Sequence, residues 1–142
     1  MRKILIIAVL AFTGLQLSNA QEIGVRFGNI VGNDVAIDFA WALNAGRIHA
    51  DVSFGNGVGV EALYDFLYGS LGDEDLYYYV GLGGYAWLGD PLGLGISGEA
   101  GIEYRFQSLP LALGIDWRPT FAILQNTNFH ADRFGLNLRF VF

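Results

Sequence analysis

The last nine residues, Phe134-Gly135-Leu136-Asn137-Leu138-Arg139-Phe140-Val141-Phe142, alternate strictly between large apolar and mostly small or polar side chains. Strand side chains point to opposite faces with period two. Extended, this stretch therefore puts Phe134, Leu136, Leu138, Phe140 and Phe142 on one wholly apolar face. Gly135, Asn137, Arg139 and Val141 take the other. A frayed terminus ending Phe-Val-Phe would expose an aromatic to water. The pattern makes physical sense when lipid receives the apolar face.

The same alternation recurs upstream and predicts eight strands, over 22–31, 34–43, 47–54, 58–67, 75–87, 92–106, 110–119 and 134–142. Each is close to the ~9–11 residues that a tilted strand needs to cross a bilayer. An even number of strands returns both termini to one side. Connections at 32–33, 55–57, 88–91 and 122–132 then belong to the outer side, and those at 44–46, 68–74 and 107–109 to the periplasmic side. Phe54 and Val58 share the apolar face, so they should pair across a three-residue loop with a glycine bulge, despite the Asn56-Gly57 turn signal. Gly83-Gly84 offers a place for a bulge that would reverse the facing of Tyr85 and Trp87.

Bulk properties narrow the class. Residues 1–20 carry a basic start (Arg2, Lys3), an apolar core from Ile4 to Phe12 and a small residue before Gln21. These are the marks of a cleavable secretory signal peptide, leaving 21–142 as one domain. That remainder has 6 Arg, no Lys and 14 acidic residues, for a formal charge of −8. Such a balance argues against nucleic acid as a partner. Although 53% of the chain is apolar, the longest uncharged stretch after residue 20, Leu76 to Gly89, is broken by Gly81, Gly83 and Gly84. Apolar composition without a spanning helix leaves the closed barrel as the way to satisfy backbone groups in lipid. The absence of cysteine excludes disulfides, a thiol nucleophile and Cys-ligated metals.

A soluble lipocalin-like carrier would show the same period, so the facing has to be argued. The apolar face carries most of the large residues, Phe27, Phe39, Trp41, Phe54, Phe66 and Trp117 among them. An eight-stranded barrel has an interior just wide enough for its own side chains. The other face is rich in Gly and Ala between charges, which suits a crowded lumen. Many aromatics fall near strand ends, where interfacial girdles belong. The fold expected is therefore an all-β, eight-stranded antiparallel up-and-down transmembrane barrel.

Leu109-Pro110-Leu111-Ala112-Leu113-Gly114-Ile115-Asp116-Trp117-Arg118-Pro119, following Gly101-Ile102-Glu103-Tyr104-Arg105-Phe106, resembles the end of small bacterial outer-membrane β-barrel proteins, often described as outer membrane or porin-family proteins. An aromatic last residue with apolar residues two and four positions before it is similar to their C-terminal assembly signal, here Phe142, Phe140 and Leu138. Asn137 departs from it, standing where many such signals have Gly. The resemblance implies an outer-membrane location. It implies barrel-assembly machinery and periplasmic chaperones as partners during biogenesis, and lipid as the lasting one. It implies no reaction.

Parity places Arg26, Asp38, Arg47, Asp51, Glu61, Asp65, Glu99, Glu103, Arg105, Asp116, Arg118 and Arg139 inside, with His49. Unpaired carboxylates there would each cost several kcal/mol, so they should bind guanidinium groups. Arg alone fits, because its planar fork bridges carboxylates. A turn at 107–110 sets Glu99 opposite Arg118. The 55–57 loop sets Arg47 opposite Asp65 and Asp51 opposite Glu61, an acidic pair that needs an arginine from another strand or one raised pKa. His49 and Ser53 lie about 13 Å apart along one strand, too far for a base and its nucleophile. No catalytic, cofactor or metal residues are expected. The reading is a monomeric filled barrel with a structural or interaction role in the envelope. Its rivals are a small-solute pore, a long-loop adhesin, a lipid-modifying barrel enzyme and a soluble lipocalin-like carrier.

Overall fold

A computed structural model describes residues 21–72, 75–124 and 127–142. The proposed signal peptide, Asp73 and Glu74 lie outside them. Ten strand segments are present: β1 (Gln21–Ile30), β2 (Asn33–Ala42), β3 (Arg47–Phe54), β4 (Val58–Ser70), β5 (Leu76–Leu88), β6 (Gly93–Arg105), β7 (Leu111–Trp117), β8 (Thr120–Ala122), β9 (Asn128–His130) and β10 (Phe134–Val141). They make eight staves, since β8 continues β7 along β6, and β9 leads into β10. All neighbours are antiparallel, and the sheet closes on itself through β1–β10 and β5–β6. Phe142 N–H donates to the Gln21 carbonyl at 2.9 Å, so the last residue caps the seam beside β1.

The register follows the pleat. Phe54 pairs with Val58 across residues 55–57, and Arg47 pairs with Asp65. Asn33 holds that loop: its Oδ1 accepts from Asn56 N–H at 3.0 Å, and its Nδ2 donates to Gly57 O and Ser53 Oγ at 3.1 Å each. The first hairpin turns one residue earlier than expected, at Val31 and Gly32, with Ile30 opposite Asn33. Gly32 there has φ +77°, a conformation without steric penalty in glycine.

Three expectations are corrected. The bulge lies not at Gly83-Gly84 but at Phe66, where Asp65 pairs with Gly81 and Leu67 already pairs with Val80. Both Phe66 and Leu67 consequently face outward and exposed. β5 runs against β6 without interruption, so Tyr77, Tyr79, Tyr85 and Trp87 all share the inner face and are not reversed. Second, β4 continues to Ser70, and Tyr68, expected in a turn, sits in the barrel wall opposite Tyr79. Third, the 122–132 connection is partly a hairpin, with Thr120 opposite His130 and Ala122 opposite Asn128.

The two faces are inverted relative to a water-soluble domain. Outward residues are large and apolar and lie open: Phe27 is 47% exposed, Ile115 60% and Phe134 63%. Inward, the wall is small where it must be. Tyr79 on β5 stands opposite Gly101 on β6, and Tyr85 opposite Gly95. Trp87 lies opposite Gly59 and Gly93, and its indole packs against Gly32, Gly57 and Gly89 of three separate connections. One strand of inward aromatics is thus accommodated by facing glycines, and Trp87 fills the end of the lumen away from the termini.

Candidate functional site: the ion network of the lumen

Strand alternation delivers the charges to the interior, and closure of the sheet brings distant strands within reach. Except for Arg105, every charged residue expected inside is buried. Arg105 stands at the rim near the termini, its side chain 27% exposed. Glu22 and Arg133 join them, so the lumen holds all six arginines of residues 21–142 and eight carboxylates.

Near the termini, Arg139 bridges three strands. Its Nε donates to Glu22 at 2.8 Å, Nη1 to Asp38 at 3.0 Å, and Nη2 to Glu103. Arg47 donates Nε–H to Asp65 Oδ2 at 2.9 Å and Nη1–H to Glu103 Oε2 at 3.0 Å. Its guanidinium lies over the rings of Tyr68 and Tyr79, at 4.6 and 4.7 Å from their centroids, a cation–π arrangement. Arg105 joins Glu22 to Glu103, and the Tyr68 hydroxyl donates to Glu103 at 2.9 Å.

At mid-height, Arg118 meets the acidic pair Asp51–Glu61, which face each other across β3 and β4. Its Nη1 donates to Asp51 and, at 2.8 Å, to Glu61, while Nε lies 2.6 Å from Glu99 Oε2. The pair is served by an arginine from elsewhere in the wall, in the step between β7 and β8, as its electrostatics require. His49 sits between Asp38, 2.5 Å from Nε2, and Glu99, 2.8 Å from Nδ1. On the opposite wall Arg26 holds Asp116 through Nε at 3.0 Å and Nη2 at 2.5 Å, and Asn137 donates to Asp116 at 3.0 Å. Towards Trp87, Glu61 also accepts from Ser97 at 2.6 Å and Arg133 at 3.2 Å.

His49 and Ser53, the two residues a barrel hydrolase would need together, have separate partners. Ser53 hydrogen-bonds Asn33 and the Gly59 carbonyl, while His49 is engaged by carboxylates. Shallow cavities of about 520 and 270 Å³ indent the two ends. The first ends on Arg133 and Trp87, the second on Arg47 and Tyr68. Between them lies the network. Phe140 and Phe142, expected in an assembly signal, point outward and meet edge to face at 5.0 Å.

Two members escaped sequence reasoning for different reasons. Glu22 has the parity of Gly24 and Arg26, so alternation alone points it inward. Arg133 lies in the irregular 131–133 step between β9 and β10, where no period exists to read. It turns inward and accepts no strand register. Comparison of the chain with family models, curated proteins and solved structures finds no match.

Proposed function

We propose that this chain is an integral outer-membrane protein, a monomeric transmembrane barrel with a filled polar lumen. On this reading residues 1–20 direct export and are removed. The barrel is then inserted by assembly machinery that reads Phe140 and Phe142, and it plays a structural or interaction role in the envelope. The observation that carries the proposal is the inversion of faces. A belt including Phe27, Ile37, Phe54, Ile102, Ile115, Leu136 and Phe140 lies open around the barrel, while all six arginines lie inside it. In water such a belt far exceeds the apolar patch that a monomer normally shows. In a bilayer it is the face that lipid requires.

The filled lumen argues against a diffusion pore, because buried ion pairs centred on Arg118 occupy mid-height. Short connections at 31–32 and 55–57 leave little surface for an adhesin. Fractionation tests the reading: the chain should stay with outer membranes after alkaline carbonate washing and need detergent for release. Recovery as a monodisperse species without detergent would replace it with the soluble carrier.

A further inference from the structure

The lumen network does not balance. Among the described residues eight carboxylates face six guanidinium groups, two positive charges short. Two clusters of His49 with carboxylates lie where the shortfall can collect, one with Asp38 and Asp51 and one with Asp65 and Glu99, and the second is the one built around a glycine. Asp65 and Glu99 both pair with Gly81, from opposite sides of β5, and a glycine between them leaves nothing to separate the two carboxyl groups. Asp65 Oδ1 is fully buried and has no hydrogen-bond partner. One ligand atom each from His49, Asp65 and Glu99 lies within 4.8 Å of the other two.

We propose that His49, Asp65 and Glu99 form a site for one divalent transition-metal ion of the zinc type. The donor set of one imidazole and two carboxylates suits such an ion. Each ligand is already oriented by a second partner on its other atom. Asp65 gives Oδ2 to Arg47 at 2.9 Å, leaving Oδ1. Glu99 gives Oε2 to Arg118 at 2.6 Å, leaving Oε1 beside His49 Nδ1. His49 gives Nε2 to Asp38 at 2.5 Å, and turns Nδ1 to Glu99 Oε1 with Arg118 Nη2 3.4 Å away, a guanidinium that an incoming ion would have to displace from the ring. A carboxylate behind the distal nitrogen of a metal-bound histidine is the usual way that ring is held and its basicity raised. A dication with His49 neutral also cancels the two missing charges. The competing way to balance the lumen is two protons, one on His49 and one shared by Asp65 and Glu99. All three residues are buried, so the ion enters as the barrel closes. The site is a property of the lumen and stands whether or not the barrel proves to be in the outer membrane.

The test is to refold the chain in detergent micelles with zinc present, then remove loose metal by gel filtration and measure what remains. Folding is scored by circular dichroism and heat-dependent gel mobility. The expected result is about one zinc per folded chain, falling at least ~10-fold in Asp65→Asn. A folded wild-type chain that retains no zinc overturns the proposal in favour of protons, and so does a folded Asp65→Asn that retains as much as wild type. Should Asp65→Asn fail to fold, refolding the wild type with cobalt(II) decides. Intense visible ligand-field bands support the site, and the weak spectrum of the hydrated ion overturns it.

Discussion

Arg118 Nη1 lies 2.8 Å from Glu61 Oε1, reaching across the lumen to a strand that is not its neighbour. The same guanidinium serves Asp51 and Glu99. Replacing Arg118 by Leu therefore takes a guanidinium from three buried carboxylates at once, leaving Glu61 with Ser97 and Arg133 and Glu99 with His49. Removing one partner from a buried ion pair destabilises by about 3–5 kcal/mol. Arg118→Leu should lower the urea midpoint in micelles accordingly. Arg105→Leu, at the exposed rim, should lower it much less. Equal midpoints for Arg118→Leu and wild type would show that the network does not hold the barrel closed.

Gly101 is a second point of leverage. The Tyr79 ring stands over it, and a Cβ built there would lie 2.6 Å from Tyr79 Cε2. Tyr79 is fully buried and its hydroxyl accepts from Asn137 at 3.3 Å, so moving the ring aside breaks that hydrogen bond. Gly101→Val should destabilise by about 1–3 kcal/mol through overpacking. The double variant Gly101→Val with Tyr79→Ala should recover part of the loss, which a double-mutant cycle of unfolding midpoints would read.

The indentations at the two ends do not meet. Trp87 and Arg133 floor one, Arg47 and Tyr68 the other. Purified protein in planar bilayers should accordingly give no stable large conductance. Trp87→Ala should widen the first mouth yet still not conduct, because the ion network remains below it. A reproducible porin-sized step from the wild type would favour the pore.

Phe142 joins two roles that deletion can separate. Its backbone N–H caps the seam to Gln21, and its ring adds an apolar outward face worth about 2 kcal/mol by area. Refolding into micelles should survive the loss. Insertion in cells should fall much further, if the terminal aromatic is what assembly reads. Heat-dependent gel mobility scores both settings. An equal loss in the two would reduce Phe142 to packing, and normal insertion without it would remove the terminal assembly signal from the outer-membrane proposal.

Alternation made most of the wall legible. β3 is found at the expected bounds, and the registers Arg47 opposite Asp65 and Asp51 opposite Glu61 follow from parity across one loop. Parity fails where one extra residue enters a strand. Phe66 and Leu67 are both large and apolar, so nothing in composition says which is the insertion, whereas Gly83-Gly84 looks like a natural bulge and is instead a close approach of neighbouring backbone, Ala62–Leu63 beside Gly83 and the Gly95 carbonyl beside Gly84. Irregular backbone is equally opaque: the 118–119 and 131–133 steps divide two staves, and Arg133 enters the lumen from one of them. Parity also sorts residues into faces without saying how far a side chain reaches around the barrel. The partnership of His49 with both Asp38 and Glu99, from three strands, is a product of closure.

Burying five of the six arginines and holding the sixth, Arg105, at the rim, with no lysine anywhere in residues 21–142, also determines how the folded chain meets a protease. Trypsin needs a basic side chain that can enter its specificity pocket together with several residues of pliable backbone. Here the basic side chains are tethered inside a hydrogen-bonded wall or by ion pairing, Arg133 to Glu61 and the rim residue Arg105 to Glu22 and Glu103. Digestion thus becomes a direct gauge of closure: an intact band reports a sealed barrel, and fragmentation reports the moment the staves part.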